Sequence, residues 1–243
     1  LVSTVTGSGN IFITDSAAVS IGATSTGSGD ITIGTSDGIL TVSGTVNSSS
    51  GNLALTGDDG VTHTATGDLS TGGSGTVSVV ASAGDVTMVD GTTYTAAGGT
   101  VSVTGASNVA LGQIVNASGA SNVTATAGSI TDVTSAEDSG NENISGTTLT
   151  LSSATGIGSA GAANDLDVAA TTIVASDSGT GSIYLAETDG VAIGATSTTS
   201  GALSIVAGGA VTTSGNISAS GGSLALTGVC LLYTSDAADD RLS

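Results

Sequence analysis

Apolar and polar residues alternate in short segments along most of the chain. A glycine, one further residue and then an apolar-x-apolar pair recur, as in residues 9–13, 29–33 and 51–55. The first apolar residues of the clear copies are Ile11, Ile31, Leu53, Val77, Val101, Ile183, Leu203 and Leu224, and weaker copies lie at Val123 and Leu149. Most successive copies are separated by roughly 20–24 positions, a period typical of repeat architectures. This pattern predicts short β-strands that recur once per repeat unit.

A second apolar segment follows the first at a nearly constant distance. It begins eight or nine positions later, at Val19, Ile39, Val61, Val86, Val109, Val191 and Val211. Strands this short cannot bury a face alone, but stacked units can pair equivalent strands in parallel, about 4.8 Å apart, with continuous inward rows of Ile, Val and Leu. The pattern therefore predicts an all-β right-handed parallel β-helix, or solenoid, of about ten coils in a rod of roughly 45–50 Å.

Other folds fit the pattern less well. A helical fold is disfavoured because segments rich in Gly and Thr have low helix propensity and no apolar stripe of period 3.6 persists. A β-sandwich built from repeats is the alternative, although it needs longer strands and does not require so regular a period. The interval between Leu149 and Ile183 is much longer than the others, so we expect an irregular or looped-out coil within 137–180.

Composition restricts the function more than the fold. The 243 residues include 39 Gly and no Pro, and 20 Asp and Glu oppose a single Lys or Arg, for a formal net charge of −19. Binding to nucleic acid depends on basic contacts to phosphates, and the same deficit opposes docking on an anionic membrane. No apolar run approaches the length of about 18 residues that a membrane span requires. We therefore expect neither nucleic acid binding nor membrane insertion.

Residues 230–243 differ abruptly in composition from the rest. They contain Cys230, which is the only cysteine, and Arg241, which is the only basic residue, and they resemble a translated sequencing adapter. We expect a repeat domain at 1–229 and a non-native tail at 230–243. The repeat domain then carries a charge of −17 with no Lys, Arg or Cys. Because the chain begins at Leu1 without Met, we expect an internal fragment of a longer protein.

Three segments carry a family resemblance. Residues 29–42, the pair formed by 155–158 and 164–167, and residues 181–191 are similar to repeats of the filamentous-haemagglutinin-like adhesins, very large bacterial surface proteins. The resemblance covers residues 1–229 and is one of repeat style. It implies a right-handed parallel β-helix shaft that is secreted and displayed at the bacterial cell surface. Adhesion or biofilm formation would then be the role of the whole protein.

Residues with catalytic potential are few, and each has a simpler structural interpretation. The alternation predicts an inward or coil-edge side chain for His63, without a partner at a catalytic spacing. Asp58 and Asp59 can mimic the carboxylate pair of a glycoside hydrolase, but together with Gly60 they form a typical turn sequence. Residues 156–161 match G-x-G-x-x-G, with Asp177 near the position of a ribose-binding acid, but a strand array is the wrong context for a dinucleotide site. We therefore expect no enzyme activity.

Two kinds of ligand remain compatible with the sequence. The acidic turns at Asp15, Asp30, Asp37, Asp85 and Asp189 offer weak Ca²⁺ ligands, although no tandem calcium-binding nonapeptide is present, so no cofactor is expected. Phe12 and Tyr184 lie at outward positions and are the candidate contacts for a glycan or protein partner. We expect a structural shaft segment that self-associates end to end, and the alternative is a carbohydrate-binding or weakly catalytic β-helix that acts on polysaccharide.

Overall fold

The computed structural model describes residues 1–134, 140–161 and 163–233, which contain 28 strands and no helix. Up to residue 132 the strands are β1 (Ser3–Val5), β2 (Ile11–Asp15), β3 (Val19–Ile21), β4 (Thr24–Thr26), β5 (Ile31–Thr35), β6 (Ile39–Val42), β7 (Val46–Ser48), β8 (Leu53–Gly57), β9 (Gly60–His63), β10 (Leu69–Thr71), β11 (Val77–Ala81), β12 (Asp85–Thr87), β13 (Thr93–Ala96), β14 (Val101–Gly105), β15 (Val109–Leu111), β16 (Gln113–Asn116), β17 (Ala120–Ala125) and β18 (Ile130–Asp132). The remaining strands are β19 (Ile144–Ser153), β20 (Leu166–Asp177), β21 (Ile183–Glu187), β22 (Val191–Ile193), β23 (Thr196–Thr198), β24 (Leu203–Ala207), β25 (Ala210–Thr213), β26 (Ile217–Ala219), β27 (Leu224–Thr227) and β28 (Cys230–Tyr233).

The strands stack in three parallel ladders up to residue 132. Ladder A contains β2, β5, β8, β11, β14 and β17. Ladder B contains β3, β6, β9, β12, β15 and β18. Ladder C contains β1, β4, β7, β10, β13 and β16. Each coil therefore supplies one strand to each ladder, and the chain is a parallel β-solenoid of about ten turns, as the repeat predicts, and not a β-sandwich.

One hydrophobic core runs through the stack. The inward residues of ladder A that pair in succession are Ile11, Ile31, Leu53, Val77 and Val101, and all are buried. Tyr94 of ladder C is the largest fully buried side chain. Elsewhere the core consists mainly of Ile, Val, Leu and Ala, because the thin interior of a coil is filled by small side chains at each level.

The motif glycines have a different role from the one that tight turns suggest. Turn glycines are commonly selected for positive φ, but Gly29, Gly51, Gly75 and Gly99 do not have positive φ. A methyl group at any of these four positions would overlap the carbonyl oxygen of the motif glycine one coil earlier. The repeated glycine is therefore explained by the close approach of backbone to backbone between coils.

Buried hydroxyl groups bind the backbone beside these glycines. Thr26 Oγ1 donates to the Gly29 carbonyl at 2.7 Å, and Ser48 Oγ donates to the same oxygen at 2.8 Å. One coil further, Thr71 Oγ1 donates to the Gly51 carbonyl at 2.6 Å. Since buried polar groups must find partners, these short side chains satisfy the corner where regular strand pairing is interrupted.

Two predicted strand positions need correction. The pattern makes Ile39 the equivalent of Val19, and β6 does begin at Ile39, but Leu40 pairs with Val19 and is buried, whereas Ile39 is 43% exposed. The pattern also places the weak first-strand copy at Val123, but Ser121 pairs with Val101 and occupies the inward position. A hydroxyl at this site hides the true register, because a search for apolar residues passes over it.

The strands of each repeat unit join different ladders after the long interval between Leu149 and Ile183. β19 pairs with β16 through residues 144–145 and with β17 through residues 148–153. β20 pairs with β19 on one side and with β21, β22 and β23 in turn on the other. Ile157 bridges Ile130 and Ile183 and so carries ladder B forward. The start of β21 therefore continues ladder B, while its end continues ladder C through β20 and β19, and neither part continues ladder A.

The expected tail begins at the first residue of the last described strand. β28 (Cys230–Tyr233) pairs in parallel with β25, in register from Ala210 to Thr213. Residues 234–243, which make up the rest of the expected tail, lie outside the described residues.

Candidate functional site

Phe12 and Tyr184 are the contact residues that the alternation pattern indicates. Phe12 projects outward from β2 and is 72% exposed, while Tyr184 of β21 is partly buried. Phe12 lies in ladder A, whereas β21 continues ladder B. Seven coil steps separate the two levels, which corresponds to about 34 Å along the axis. The fold therefore does not bring these two aromatic residues into one binding surface.

His63 forms a buried pair with Tyr94, which sequence reasoning did not identify. His63 Nδ1 lies 2.6 Å from the Gly67 carbonyl, and Tyr94 Oη lies 2.6 Å from His63 Nε2. A carbonyl can only accept, so Nδ1 carries the proton and Nε2 accepts from the tyrosine hydroxyl. Burial lowers the pKa of His63 to about 4, against a weaker raising effect of the Gly67 hydrogen bond. The imidazole is neutral at physiological pH, and both of its nitrogens are occupied.

Apolar residues flank this pair in the adjacent coils, since Val42 pairs with His63 and Leu69 and Ile114 pair with Tyr94. The contact between the two side chains explains why both polar groups lie in the core. The two rings lie 5.1 Å apart between centroids at an interplanar angle of 59°. Burial also raises the pKa of Tyr94 well above its ordinary value. Both groups stay uncharged and satisfy each other, which is the condition for polar side chains in a core.

Asp58 and Asp59 lie at the turn between β8 and β9, as their sequence predicts. Together with Asp37 they bring one carboxylate oxygen each to within 4.8 Å of one another. Asp37 and Asp59 are exposed and Asp58 is half-buried. An exposed group of carboxylates is screened by water, so this triad has no feature that distinguishes a metal site from an acidic surface.

Other acidic turns bind the backbone of the following coil. Asp30 Oδ1 accepts from the Asn52 backbone N–H at 2.8 Å and from Asn52 Nδ2 at 3.1 Å. Asp85 Oδ1 makes the same two contacts with Asn108, at 2.8 and 3.1 Å. Asp15 Oδ1 accepts locally from the Ala17 N–H at 3.0 Å. These carboxylates have a structural role, since each binds backbone N–H groups at a turn.

The G-x-G-x-x-G segment is part of the stack. Ile157 within it forms the ladder B bridge, and Gly156 and Gly158 have positive φ. Asp177, the acid at the expected spacing, is buried at the end of β20. Its carboxylate accepts from Ser153 Oγ at 2.7 Å and from the Gly181 N–H at 2.9 Å. The glycines and the acid thus serve a corner of the coil, and no helix follows the glycines among the described residues.

Glu187 is a buried carboxylate that the sequence analysis did not single out. It ends β21 at an inward position and is 4% exposed. Oε1 accepts from the Ala170 N–H at 3.1 Å, whereas Oε2 is buried and has no hydrogen-bond partner within the described part of the chain. Burial raises the pKa of Glu187 against the lowering effect of backbone hydrogen bonds from Ala170 and Asp189, and the nearby carboxylates of Asp189 and Glu142 raise it further. The inward alternation of Ile183, Leu185 and Glu187 was the signal that could have identified this residue.

A cleft of about 220 Å³ opens beside Glu187, and Gly146, Ala169, Ala170, Thr171, Asp189 and Gly190 also line it. It lies where β20 passes from one partner strand to the next. β20 pairs with β21 up to Val168 and with β22 from Thr172, so the register skips residues 169–171. The skipped segment and the turn after Glu187 form the two walls. Within the described residues, this cleft combines a buried, incompletely satisfied carboxylate with space for a ligand.

A second acidic group lies around Asn143, which is fully buried. Asp132 Oδ1 accepts from Asn143 Nδ2 at 2.6 Å and from the Thr134 N–H at 2.7 Å. Burial raises the pKa of Asp165, and the nearby charge of Asp132 adds to this. Asn143 Oδ1 accepts from the Asp167 N–H at 2.9 Å, so the group ties three coil segments together.

Comparison of the chain with protein-family models, curated proteins and solved structures gave no match. None of the described residues forms a helix long and apolar enough to span a membrane.

Proposed function

We propose that residues 1–229 form a structural shaft segment of a secreted bacterial cell-surface adhesin, which holds other domains away from the envelope. The parallel stacking of coils through the described residues is the observation that supports this proposal. Each coil contacts its neighbours, so reach grows linearly with the number of coils. About ten coils give roughly 45–50 Å of shaft at the spacing of parallel strands.

The surface chemistry fits an extracellular shaft. Residues 1–229 carry a charge of −17 with no Lys or Arg. Like charges on neighbouring rods repel each other and so oppose lateral aggregation. Salt in the surroundings screens the repulsion between charges within one rod. The outward residues that pair along ladder B are small and mostly hydroxylated: Ser20, Thr41, Thr62, Thr87, Ala110 and Thr131.

A surface-display experiment tests the mechanical role. Cells would display a small binding module either directly on an anchor or separated from it by the full chain. We expect both to bind a small soluble ligand equally, whereas capture of ligand-coated beads should increase several-fold with the shaft present. A matched shaft that carries Gly99→Ala, which should weaken coil stacking, should lose the gain. Equal bead capture with and without the shaft would refute the proposal.

A carbohydrate-binding or weakly catalytic polysaccharide-acting surface is the second candidate, and the exposure of Phe12 favours it. An aromatic face beside small polar residues suits stacking against a sugar ring. In ladder A, Phe12 pairs with Thr32, which in turn pairs with Ala54. The shaft proposal expects no glycan binding and no depolymerisation by the full chain. Glycan-array binding that Phe12→Ala reduces at least tenfold, or measurable turnover of a polysaccharide, would favour this candidate instead.

End-to-end self-association is a further part of the shaft proposal. Apolar residues are exposed near both ends of the described stack, with Leu1 at 62%, Val2 at 69%, Leu224 at 50% and Val229 at 82%. Strand edges without partners are sites for pairing with another chain. Light scattering should therefore show a mean mass that rises with protein concentration. A constant monomer mass over a hundredfold range of concentration would contradict the expectation.

A further inference from the structure

The buried carboxylate of Glu187 has no basic side chain beside it within the described part of the chain. Its carboxylate is 4% exposed, and the inward residues that pair with it in the adjacent coils are Val168 and Ala207. The chain has one Lys or Arg in total, Arg241, which lies outside the described residues. The single histidine is occupied by Tyr94 and Gly67. A buried carboxylate loses solvation, and a neighbouring positive charge stabilises its ionised form, but the described residues supply no basic side chain for this.

The cleft offers oxygen ligands around this carboxylate. The turn after β21 contains Asp189, which also lines the cleft. Glu142 lies close to the same turn, since its Oε1 accepts from Thr188 Oγ1 at 3.1 Å and from the Gly140 N–H at 2.9 Å. Across the cleft, the register skip leaves residues 169–171 without strand pairing to the following coil. Carboxylate and backbone oxygens together are the ligand set that Ca²⁺ uses in proteins.

We propose that the cleft beside Glu187 binds a divalent cation, with Ca²⁺ as the matching ion, through the carboxylates of Glu187 and Asp189 and through backbone oxygens and water. The buried Oε2 of Glu187, which has no hydrogen-bond partner within the described part of the chain, is the observation that carries this proposal. With two protein carboxylates the site should be weak. Extracellular calcium modules of this kind have dissociation constants of about 10⁻⁴ to 10⁻³ M.

The exposed triad of Asp37, Asp58 and Asp59 provides an internal comparison. Its oxygens lie within 4.8 Å of one another, but two of its three residues are exposed. Water solvates such exposed carboxylates well, so the stability of the folded protein does not depend on a cation at this triad. Binding of Ca²⁺ in the cleft beside Glu187 should therefore stabilise the protein, whereas the exposed triad should contribute no such effect.

Thermal unfolding of the full chain in EDTA and in 10 mM CaCl₂ tests the site. For a dissociation constant near 1 mM, we expect Ca²⁺ to raise the midpoint by about 4 °C. Glu187→Gln should lose this shift, and in EDTA it should melt above the wild type, because a neutral amide removes the buried charge. The matched control Asp58→Asn should keep the full shift.

Several outcomes of the same experiment would contradict the proposed calcium site. A wild-type midpoint that Ca²⁺ leaves unchanged would overturn the proposal, as would a full shift in Glu187→Gln. Loss of the shift in Asp58→Asn but not in Glu187→Gln would place the ion at the exposed triad and also refute the site. If Glu187→Gln does not fold, Asp189→Asn provides the same test from the turn and should reduce the shift by at least half. A full shift in that variant would then refute the site.

Discussion

Replacing Gly99 with alanine should lower the free energy of unfolding by about 3 kcal/mol, near the upper end of the usual cost of overpacking. Gly99 is buried at the start of the motif that leads into β14. A Cβ atom at this position would overlap the carbonyl oxygen of Gly75, one coil earlier. Because that oxygen belongs to the backbone just before β11, which pairs with β8 and β14, it cannot rotate away as a side chain would. The coils must separate locally, and the packing of inward residues is lost with them.

Gly34→Ala is the matched control for this substitution. Gly34 lies within β5 without positive φ, and a Cβ atom there would be 3.7 Å from the Thr56 carbonyl oxygen, which is an ordinary contact. This variant should be neutral or should stabilise the protein by about 0.5 kcal/mol, because alanine restricts the unfolded chain. Urea unfolding followed by circular dichroism measures both. Equal effects at the two positions would show that close approach between coils does not explain the motif glycine.

Lowering the pH from 7 to 4 should remove about 3 kcal/mol of stability through His63 alone, since each pKa unit corresponds to about 1.4 kcal/mol. The pKa of His63 falls from 6.5 to about 4 on folding. Between these values the unfolded chain binds a proton that the folded protein does not, so acid favours unfolding. The contribution of the neutral His63 side chain to the free energy of unfolding is complete above pH 6.5. It declines as the pH falls towards 4 and does not change further below that value.

Comparison with His63→Gln isolates this contribution from that of the many carboxylates. Glutamine does not titrate, so the stability difference between wild type and variant should narrow by about 3 kcal/mol from pH 7 to pH 4. Tyr94→Phe is the control: above pH 6.5 it should cost about 1 kcal/mol through the lost hydrogen bond, while a dependence on pH remains because the imidazole is still buried. A difference between wild type and His63→Gln that does not change with pH would contradict the buried neutral histidine. The imidazole NMR signal of the single histidine provides an independent pKa.

The register of the coils shows where prediction from sequence stops. The repeat near Ile31, Leu53 and Val77 is visible because apolar residues occupy each inward position. It is lost at Ser121, where a buried hydroxyl takes that position. The long strand β20 pairs with three short strands, β21, β22 and β23, so the same sequence motif continues a different ladder after β20. Local alternation cannot reveal such a shift, because it depends on which strand lies in the neighbouring coil.

The candidate site illustrates the same limit. The inward positions of His63 and Glu187 follow from alternation, but their surroundings do not. Tyr94 is 31 residues from His63, and the cleft beside Glu187 exists only because β20 skips residues 169–171 between two partner strands. Both arrangements depend on residues that are distant in the chain and adjacent in the stack.

The all-β solenoid, its period and the absence of Lys and Arg from 1–229 follow from the amino-acid sequence, because they are properties of local pattern and composition. The close backbone approach at the motif glycines, the pairing of His63 with Tyr94 and the cleft beside Glu187 are visible only in the folded chain. A solenoid repeats its local pattern faithfully, but its contacts join neighbouring coils, which are one full repeat apart in the chain. Their register is set by packing and not by any one segment.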